Sequence, residues 1–361
     1  MCGAIPAHQD TAHVRVVAEQ QDTSSGYVTL DNPAREFGDA ATLTFGQEFV
    51  SLLTPGDLFR FELSGTAAFD GGENDLYGSA IYRAPIGVSG TYGEIYLGNA
   101  VGDRDATGTL RQTDLDGDTV ILAIGHPVIR NIDTYGYALL EARRSRSDSD
   151  VDGVSTDFES TVNVIAASWI YGRALQNGGA FEYATNLAFG SRSSDADGFD
   201  DGDEDFWHLR AGAGYQQPVS WFGENSSFRA EIWGQYTTDR LPGIEEFYLG
   251  GIDDERGYTL AEVQGDSGVS AVFQAGRDFF PQSSTVRRYR PFAFVDAGYV
   301  DNNEPSATET DDDFLSSVGI GVDLEFENRF FAQAYVSVPT TSGPETDSGD
   351  PAFYLALSKS W

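Results

Sequence analysis

The chain has 361 residues, with 57 acidic against 22 basic side chains and a formal charge of −35. So large an acidic excess, with Lys359 as the single lysine, leaves no basic patch for a nucleic acid partner. The composition, 40% hydrophobic and 13% aromatic, excludes a disordered chain, and a single cysteine, Cys2, excludes an internal disulfide or a cysteine-rich metal site. No run approaches the ~18 apolar residues of a membrane-spanning helix, and Met1 to Asp10 lacks the charged-then-apolar pattern of a secretory signal. The expectation is a protein that stays inside the cell or a chain whose natural front end is missing.

In chain order, apolar residues recur at period two rather than at helical spacing, so the predicted class is all-β. Phe59, Phe61 and Leu63 alternate with Arg60, Glu62 and Ser64; Trp207, Leu209, Ala211, Ala213 and Tyr215 alternate with His208, Arg210, Gly212 and Gly214. Val318, Ile320, Val322, Leu324 and Phe326 alternate with Gly319, Gly321, Asp323 and Glu325. Many segments alternate over ~9–11 residues, enough to cross a bilayer when tilted and longer than the 5–6 usual in soluble sheets. About sixteen such segments begin near residues 24, 38, 58, 76, 91, 119, 134, 160, 180, 206, 228, 269, 288, 314, 330 and 352. An even number suits a closed antiparallel transmembrane barrel.

Connections alternate between short ones (55–57, 131–133, 176–179, 327–328) and long ones (about 101–118, 146–158, 192–205, 240–267, 301–313 and 340–350). The surplus acid lies in the long set, as at Asp148, Asp150 and Asp152 and at Asp311 to Asp313. That segregation suits a barrel with one end toward the periplasm and the other outside. Tyr137, Trp169, Trp207, Tyr215, Tyr236 and Tyr299 fall toward strand ends, where polar-tipped rings suit a membrane interface. The chain ends in the alternating run Phe353, Leu355, Leu357, Lys359 and Trp361, similar to the terminal insertion signal of bacterial outer-membrane barrels apart from Lys359. Periodicity also puts Asp296 on one face with Phe292, Phe294 and Gly298, opposite Ala293, Val295, Ala297 and Tyr299. A carboxylate facing lipid is costly, so that face should line the lumen.

Two segments carry a resemblance. Leu-Pro-Gly-Ile-Glu-Glu-Phe-Tyr-Leu-Gly-Gly-Ile-Asp-Asp-Glu-Arg-Gly-Tyr from Leu241, and Pro-Phe-Ala-Phe-Val-Asp-Ala-Gly-Tyr-Val from Pro291, resemble the paired signatures of the two-partner secretion transporters. These form the haemolysin secretion and activation family, in the superfamily of the outer-membrane barrel assembly factor. Asp31-Asn32 with Gly38, Gly56-Asp57 and Gly125 to Arg130 resemble it less specifically. The resemblance implies a 16-stranded outer-membrane barrel over 24–361 whose long loop after the eleventh strand folds inward. It sets Arg256, Gly257 and Tyr258 at the loop tip against Asp296 and Gly298 on the inner wall, with Leu249, Gly250, Gly251 and Phe294 as supporting positions. Glu255 stands where the family has valine, so a second carboxylate could compete for the arginine. A guanidinium on a carboxylate would supply the two parallel bonds that such a loop needs.

The resemblance further implies a secreted, repeat-rich exoprotein as partner, moved from periplasm to cell surface without nucleotide hydrolysis, and periplasmic POTRA repeats ahead of the barrel. Residues 1–23, with Val14-Arg15-Val16-Val17, would be the last remnant of that region, so this chain alone is not expected to recruit its partner. Outer-membrane lipid and lipopolysaccharide should surround a monomer, with no catalytic residue, no metal and no cofactor. A barrel-assembly insertase and a passive porin are the alternative functions, and a soluble β-sandwich is the alternative fold. Asp148, Asp150, Asp152, Gly153 and Glu159 match the calcium-loop spacing, but on strand-like flanks. Of the four histidines, His8 and His13 lie in the front segment; a serine hydrolase in the barrel wall would need His126 or His208 to activate an outer-surface serine, and His208 reads as lumen-facing. Arg60, Glu62, Arg210, Arg229, Glu231, Asp323 and Glu325 read as a mixed-sign network lining a wet lumen.

Overall fold

The computed structural model describes residues 23–32, 40–69, 74–104, 113–151, 158–194, 202–282, 285–305 and 310–361. The predicted remnant at 1–23 lies almost wholly outside them. The strands in chain order are β1 (Ser24–Asp31), β2 (Ala40–Val50), β3 (Leu58–Ala68), β4 (Asn74–Ile86), β5 (Thr91–Arg104), β6 (Thr113–Arg130), β7 (Thr134–Val151), β8 (Phe158–Ala174), β9 (Ala180–Ser194), β10 (Asp205–Val219) and β11 (Ser226–Tyr236). They continue with β12 (Phe247–Leu249), β13 (Gly251–Tyr258), β14 (Val263–Gly265), β15 (Ser267–Arg277), β16 (Val286–Asp301), β17 (Asp312–Phe326), β18 (Phe330–Pro339) and β19 (Ala352–Ser360). All but β12, β13 and β14 form one closed antiparallel barrel of sixteen strands. Each pairs with its chain neighbours, except that β11 pairs with β15 across the inward loop and β1 closes on β19. The closing register runs from Tyr27 opposite Ser360 to Asp31 opposite Ala356. Beyond it, Asn32 Nδ2 donates to the Phe353 carbonyl at 2.8 Å and Asn32 Oδ1 accepts from the Leu355 amide at 2.6 Å.

Period-two alternation produces the wall. Leu140, Ile165 and Ile320 are 58%, 68% and 68% exposed because they point outward, where acyl chains replace water. Three of the four inward positions that read as bare glycine are covered by rings from the adjacent strand. Trp233 lies on Gly212, Phe294 on Gly319 and Phe292 on Gly321, each so close that a Cβ there would collide with the ring. A glycine beneath a flat aromatic is thus a packed unit of the inner wall.

Three sequence expectations need correction. Residues 113–118 and 146–151 are not loop but strand: β6 and β7 run 18 residues each and β8 runs 17. Ion pairs join these acidic ends, since Arg146 bridges Glu159 on β8 at 3.2 Å and Asp148 on its own strand at 3.1 Å. The calcium-spaced motif therefore has an arginine between its first and last carboxylates, while its Asp152 and Gly153 lie outside the described residues. Tyr137 does not face the membrane interface. It shares its face with Tyr135, whose hydroxyl donates to Glu182 inside the barrel at 2.6 Å, and lies opposite Leu140. The other five rings hold the expected outward parity, with Trp207 and Tyr236 packed edge to face at 6.0 Å.

Candidate functional site

Residues 237–266 leave β11, enter the lumen and return to β15. Inside, β12 and β14 pair as a small hairpin, and β13 runs toward the wall formed by β15 to β18. A buried cluster of Leu249, Tyr258, Val263, Val300 and Leu315 joins the hairpin to β16 and β17. The loop therefore carries its own apolar anchor before any charge is considered.

The structure places Arg256 against Asp296. Arg256 Nε donates to Asp296 Oδ2 at 2.8 Å and Nη2 to Oδ1 at 2.9 Å, the two parallel bonds of a fork on a carboxylate. The Arg256 amide adds a third bond to Oδ2 at 3.1 Å, and Nη1 reaches Gln274 Oε1 at 3.1 Å. The guanidinium lies 3.4 Å above the centre of the Phe294 ring and 5.7 Å from that of Tyr335. Asp296 is fully buried and Arg256 is 7% exposed. A buried pair of this kind is costly to break, because removing one partner strands the other charge away from water.

The neighbouring motif residues shape the turn. Gly257 has φ +105°, and a Cβ there would come within 2.9 Å of Ser337 Oγ on β18. Ser337 Oγ in turn donates to the Arg256 carbonyl. The Tyr258 hydroxyl lies 2.9 Å from the Ser316 carbonyl and 2.7 Å from that of Thr341. At Gly298 a Cβ would sit 2.5 Å from Glu255 Oε1 and 2.6 Å from Leu249 Cδ2, so the wall is open to the loop only because that position is bare. Gly250 and Gly251 make the bend between β12 and β13, and the Gly250 carbonyl accepts from the Ala261 amide at 3.2 Å.

Glu255 does not compete for the arginine. It holds φ +41°, its Oε1 accepts from Ser270 Oγ on β15 at 2.8 Å, and its buried Oε2 has no partner. Burial pushes this carboxyl up to about 8; Ser270 and the Gly250 backbone oppose the rise, while Asp254 and Asp296 add to it.

A second buried ion pair was not singled out in the sequence. Glu245, fully buried in the short 3₁₀ turn Gly243–Glu245, accepts from Arg143 Nη2 on β7 at 2.7 Å with each oxygen and lies 3.2 Å from His208 Nε2 on β10. Its main-chain carbonyl accepts from Arg210 Nη2 at 2.9 Å and Gln235 Nε2 at 3.0 Å. Burial raises this carboxyl, but His208, Arg143 and Arg210 outweigh it and leave the group below the ordinary range. The loop is thus pinned to the wall at two separate places, by Glu245 to β7 and β10 and by Arg256 to β16. Glu245 does lie within the Leu241 signature; Arg143 is one of three arginines within four residues, and only the register picks it out.

Below the tip, a polar cavity of about 470 Å³ is lined by residues that include Arg229, Glu231, Asp254, Arg290 and Asp323. Arg229 meets Glu231 at 2.6 Å, Gln333 donates to Asp323 at 2.8 Å, and Arg60 meets Glu48 at 2.6 Å. Among the described residues no group of His, Cys, Asp or Glu is arranged to hold a metal ion.

A closed, even-stranded antiparallel barrel with an apolar outer face, a polar lumen and a loop tied inside it defines a bacterial outer-membrane β-barrel protein. Residues 10–324 match the haemolysin secretion/activation protein ShlB/FhaC/HecB family, and the chain belongs to that family. No curated protein sequence matches it. Among solved structures the chain is similar to CdiB from Escherichia coli, at 16% identity and TM-score 0.78, over 95% of this chain and 64% of that one. It is similar to CdiB from Acinetobacter baumannii at 13% identity and TM-score 0.77, over 94% of this chain and 60% of that one. BamA from Haemophilus ducreyi lacking POTRA domains 1–3 follows at 13% identity and TM-score 0.63, over 95% of this chain and 71% of that one. This chain therefore spans under two thirds of the length of either CdiB structure.

Proposed function

We propose that this chain is the barrel of a two-partner secretion translocator, through which an unfolded, repeat-rich exoprotein passes from periplasm to cell surface. In this reading the pair of Arg256 and Asp296 is a latch, with Gly257, Tyr258 and Gly298 shaping its seat and Leu249, Gly250, Gly251 and Phe294 supporting it. Residues 1–23 would lead in from a periplasmic recognition module, and lipid and lipopolysaccharide would surround a single barrel. The role is transport without catalysis: movement is biased by folding outside, and no nucleotide is consumed.

The observation that carries this reading is the desolvated guanidinium-carboxylate pair joining a lumen-filling loop to the wall in a member of this family. A static pore lining would be served by solvated charges such as Arg60 and Glu48, whose arginine is half exposed. A tight contact between an inward loop and the wall is useful when the path must be shut at rest and opened for an occupant. The test is export of a co-expressed cognate exoprotein by Arg256→Ala, in cells where the barrel still inserts and shows heat-modifiable migration. A drop in surface delivery is expected, and unchanged delivery overturns the latch.

A further inference from the structure

Beyond the latch, the loop meets a second segment that comes from outside. Residues 340–350 connect β18 to β19 and lie along the loop tip in step with it. Ser337 and Pro339 face Gly257, Thr341 meets the Tyr258 hydroxyl, and residues 343–346 reach Glu262. The segment is ordered by its own bonds, with the Gly343 amide on the Thr346 carbonyl at 2.8 Å and the Gly349 amide on the Pro339 carbonyl at 2.8 Å.

Glu262 is where the two are joined. It is 7% exposed, and its oxygens accept from the amides of Glu345 at 2.8 Å and Thr346 at 2.7 Å, from Thr346 Oγ1 at 2.8 Å and from the Thr259 amide at 3.1 Å, with Thr259 Oγ1 as a further donor. Burial raises this carboxyl, but those donors outweigh it and hold it below the ordinary range. No lysine, arginine or histidine among the described residues pairs with it. The segment it holds carries Glu345, Asp347 and Asp350, so oriented dipoles alone bind one acidic piece to another. Such a joint holds while its amides stay aligned, and once they part like charge keeps the pieces separated.

We propose that Glu262 fastens the surface segment 340–350 onto the inward loop as a strap, so that the two form one plug, and that the strap must let go at Glu262 before the Arg256 tip can leave Asp296. This rests on the loop acting as the gate of the pore. It makes Glu262 a positioning residue that links the cell surface to the lumen latch.

The test uses the full chain in planar bilayers and liposomes, with Cys2→Ser and a spin label at Ser348→Cys in the exposed part of the strap. Glu262→Gln keeps the shape but removes the charge and turns a donating amide NH2 toward donors that need an acceptor. Gly343→Ala acts from the other side, since its Cβ would overlap Glu262 Oε1 at a backbone conformation that alanine adopts freely. Both variants should mobilise the label and raise the frequency of large channel openings about ten- to hundredfold, the range set by losing one or two charge-assisted hydrogen bonds. Heat-modifiable migration should be unchanged, which a merely structural role would not predict. Adding Arg256→Ala to Glu262→Gln should raise openings by less than the product of the two single effects. A label that stays immobile in both variants, or a mobile strap with wild-type openings, overturns the proposal. The assay needs no exoprotein: unchanged export by Arg256→Ala would fail the latch reading while leaving the strap result to stand or fall separately.

Discussion

Raising the pH should loosen the loop tip, through Glu255. Its carboxyl is fully buried, one oxygen has Ser270 and the other has nothing, and Arg256 is already committed to Asp296. The charged groups acting on it are Asp254 and Asp296, both acidic. A neutral carboxylic acid fits this site and a carboxylate does not. With the tip docked the group titrates near about 8, against 4.5 when exposed. The docked form therefore holds a proton that the undocked form has lost. The contribution is complete below the exposed value and disappears as pH climbs through the docked one. At ~1.4 kcal/mol per pKa unit the gap corresponds to about 5 kcal/mol, comparable to the whole cost of breaking a buried ion pair. Channel openings in planar bilayers should therefore become more frequent from about pH 4.5 to about pH 8 and level off above that, and Glu255→Gln, which is neutral throughout, should flatten the profile at its low-pH level. A flat wild-type profile, or an unchanged one in Glu255→Gln, refutes the reasoning.

Four further outcomes follow from the same geometry. Arg256→Ala strands Asp296 and should cost the docked loop ~3–5 kcal/mol, whereas Arg256→Ala with Asp296→Ala should cost less than the single change, as read from opening frequency in a double-mutant cycle. Glu245→Gln or Arg143→Ala should free the leading limb of the loop by ~2–4 kcal/mol without moving the tip, so protease cleavage near Pro242 should rise while a spin label near Gly257 stays fixed. Gly298→Ala must push Glu255 and Leu249 away, and should raise openings with normal barrel assembly. Arg60→Ala, whose partner Glu48 remains hydrated, should change stability by less than ~0.5 kcal/mol.

Most of the wall was legible because a barrel strand must answer to two solvents. Each residue faces lipid or lumen, so period two is enforced over the whole span; of the starts read from alternation, the furthest off is that of β6, read near 119 and found at Thr113. What failed was whatever lipid does not enforce. Beyond the bilayer both faces of β6, β7 and β8 meet water, alternation lapses, and strands held by pairs such as Arg146 with Glu159 read as loop. Tyr137 was misplaced because a tyrosine suits either side: its polar tip is content at an interface or in a wet lumen. The latch residues were legible from the resemblance and from the parity of Asp296. Arg143 with Glu245, and Glu262 with Thr346, were not. They join elements about one hundred and more than eighty positions apart, and the lone chemical hint is a carboxylate in an otherwise apolar or small-residue stretch.

The three carboxylates that hold the loop, Glu245 and Glu262 within it and Asp296 on the wall, differ in what satisfies them, and that orders how the loop can move. Glu245 meets Arg143 with both oxygens and the His208 ring with one, while Arg210 holds its main-chain carbonyl, the most costly set to break. Asp296 meets one cation, which leaves with the loop tip. Glu262 meets only neutral donors at the extracellular rim, where water can replace each one as it parts. Release should therefore begin at Glu262, pass to Arg256 and stop at Glu245, which stays as the pivot. A loop pinned at its leading limb can swing aside and return to the same seat, whereas one freed at every point would have to find the Gly257 and Gly298 contacts again by search. That asymmetry predicts that loosening Glu245 slows reclosure, while loosening Glu262 speeds opening, a difference that dwell times in single-channel records separate directly.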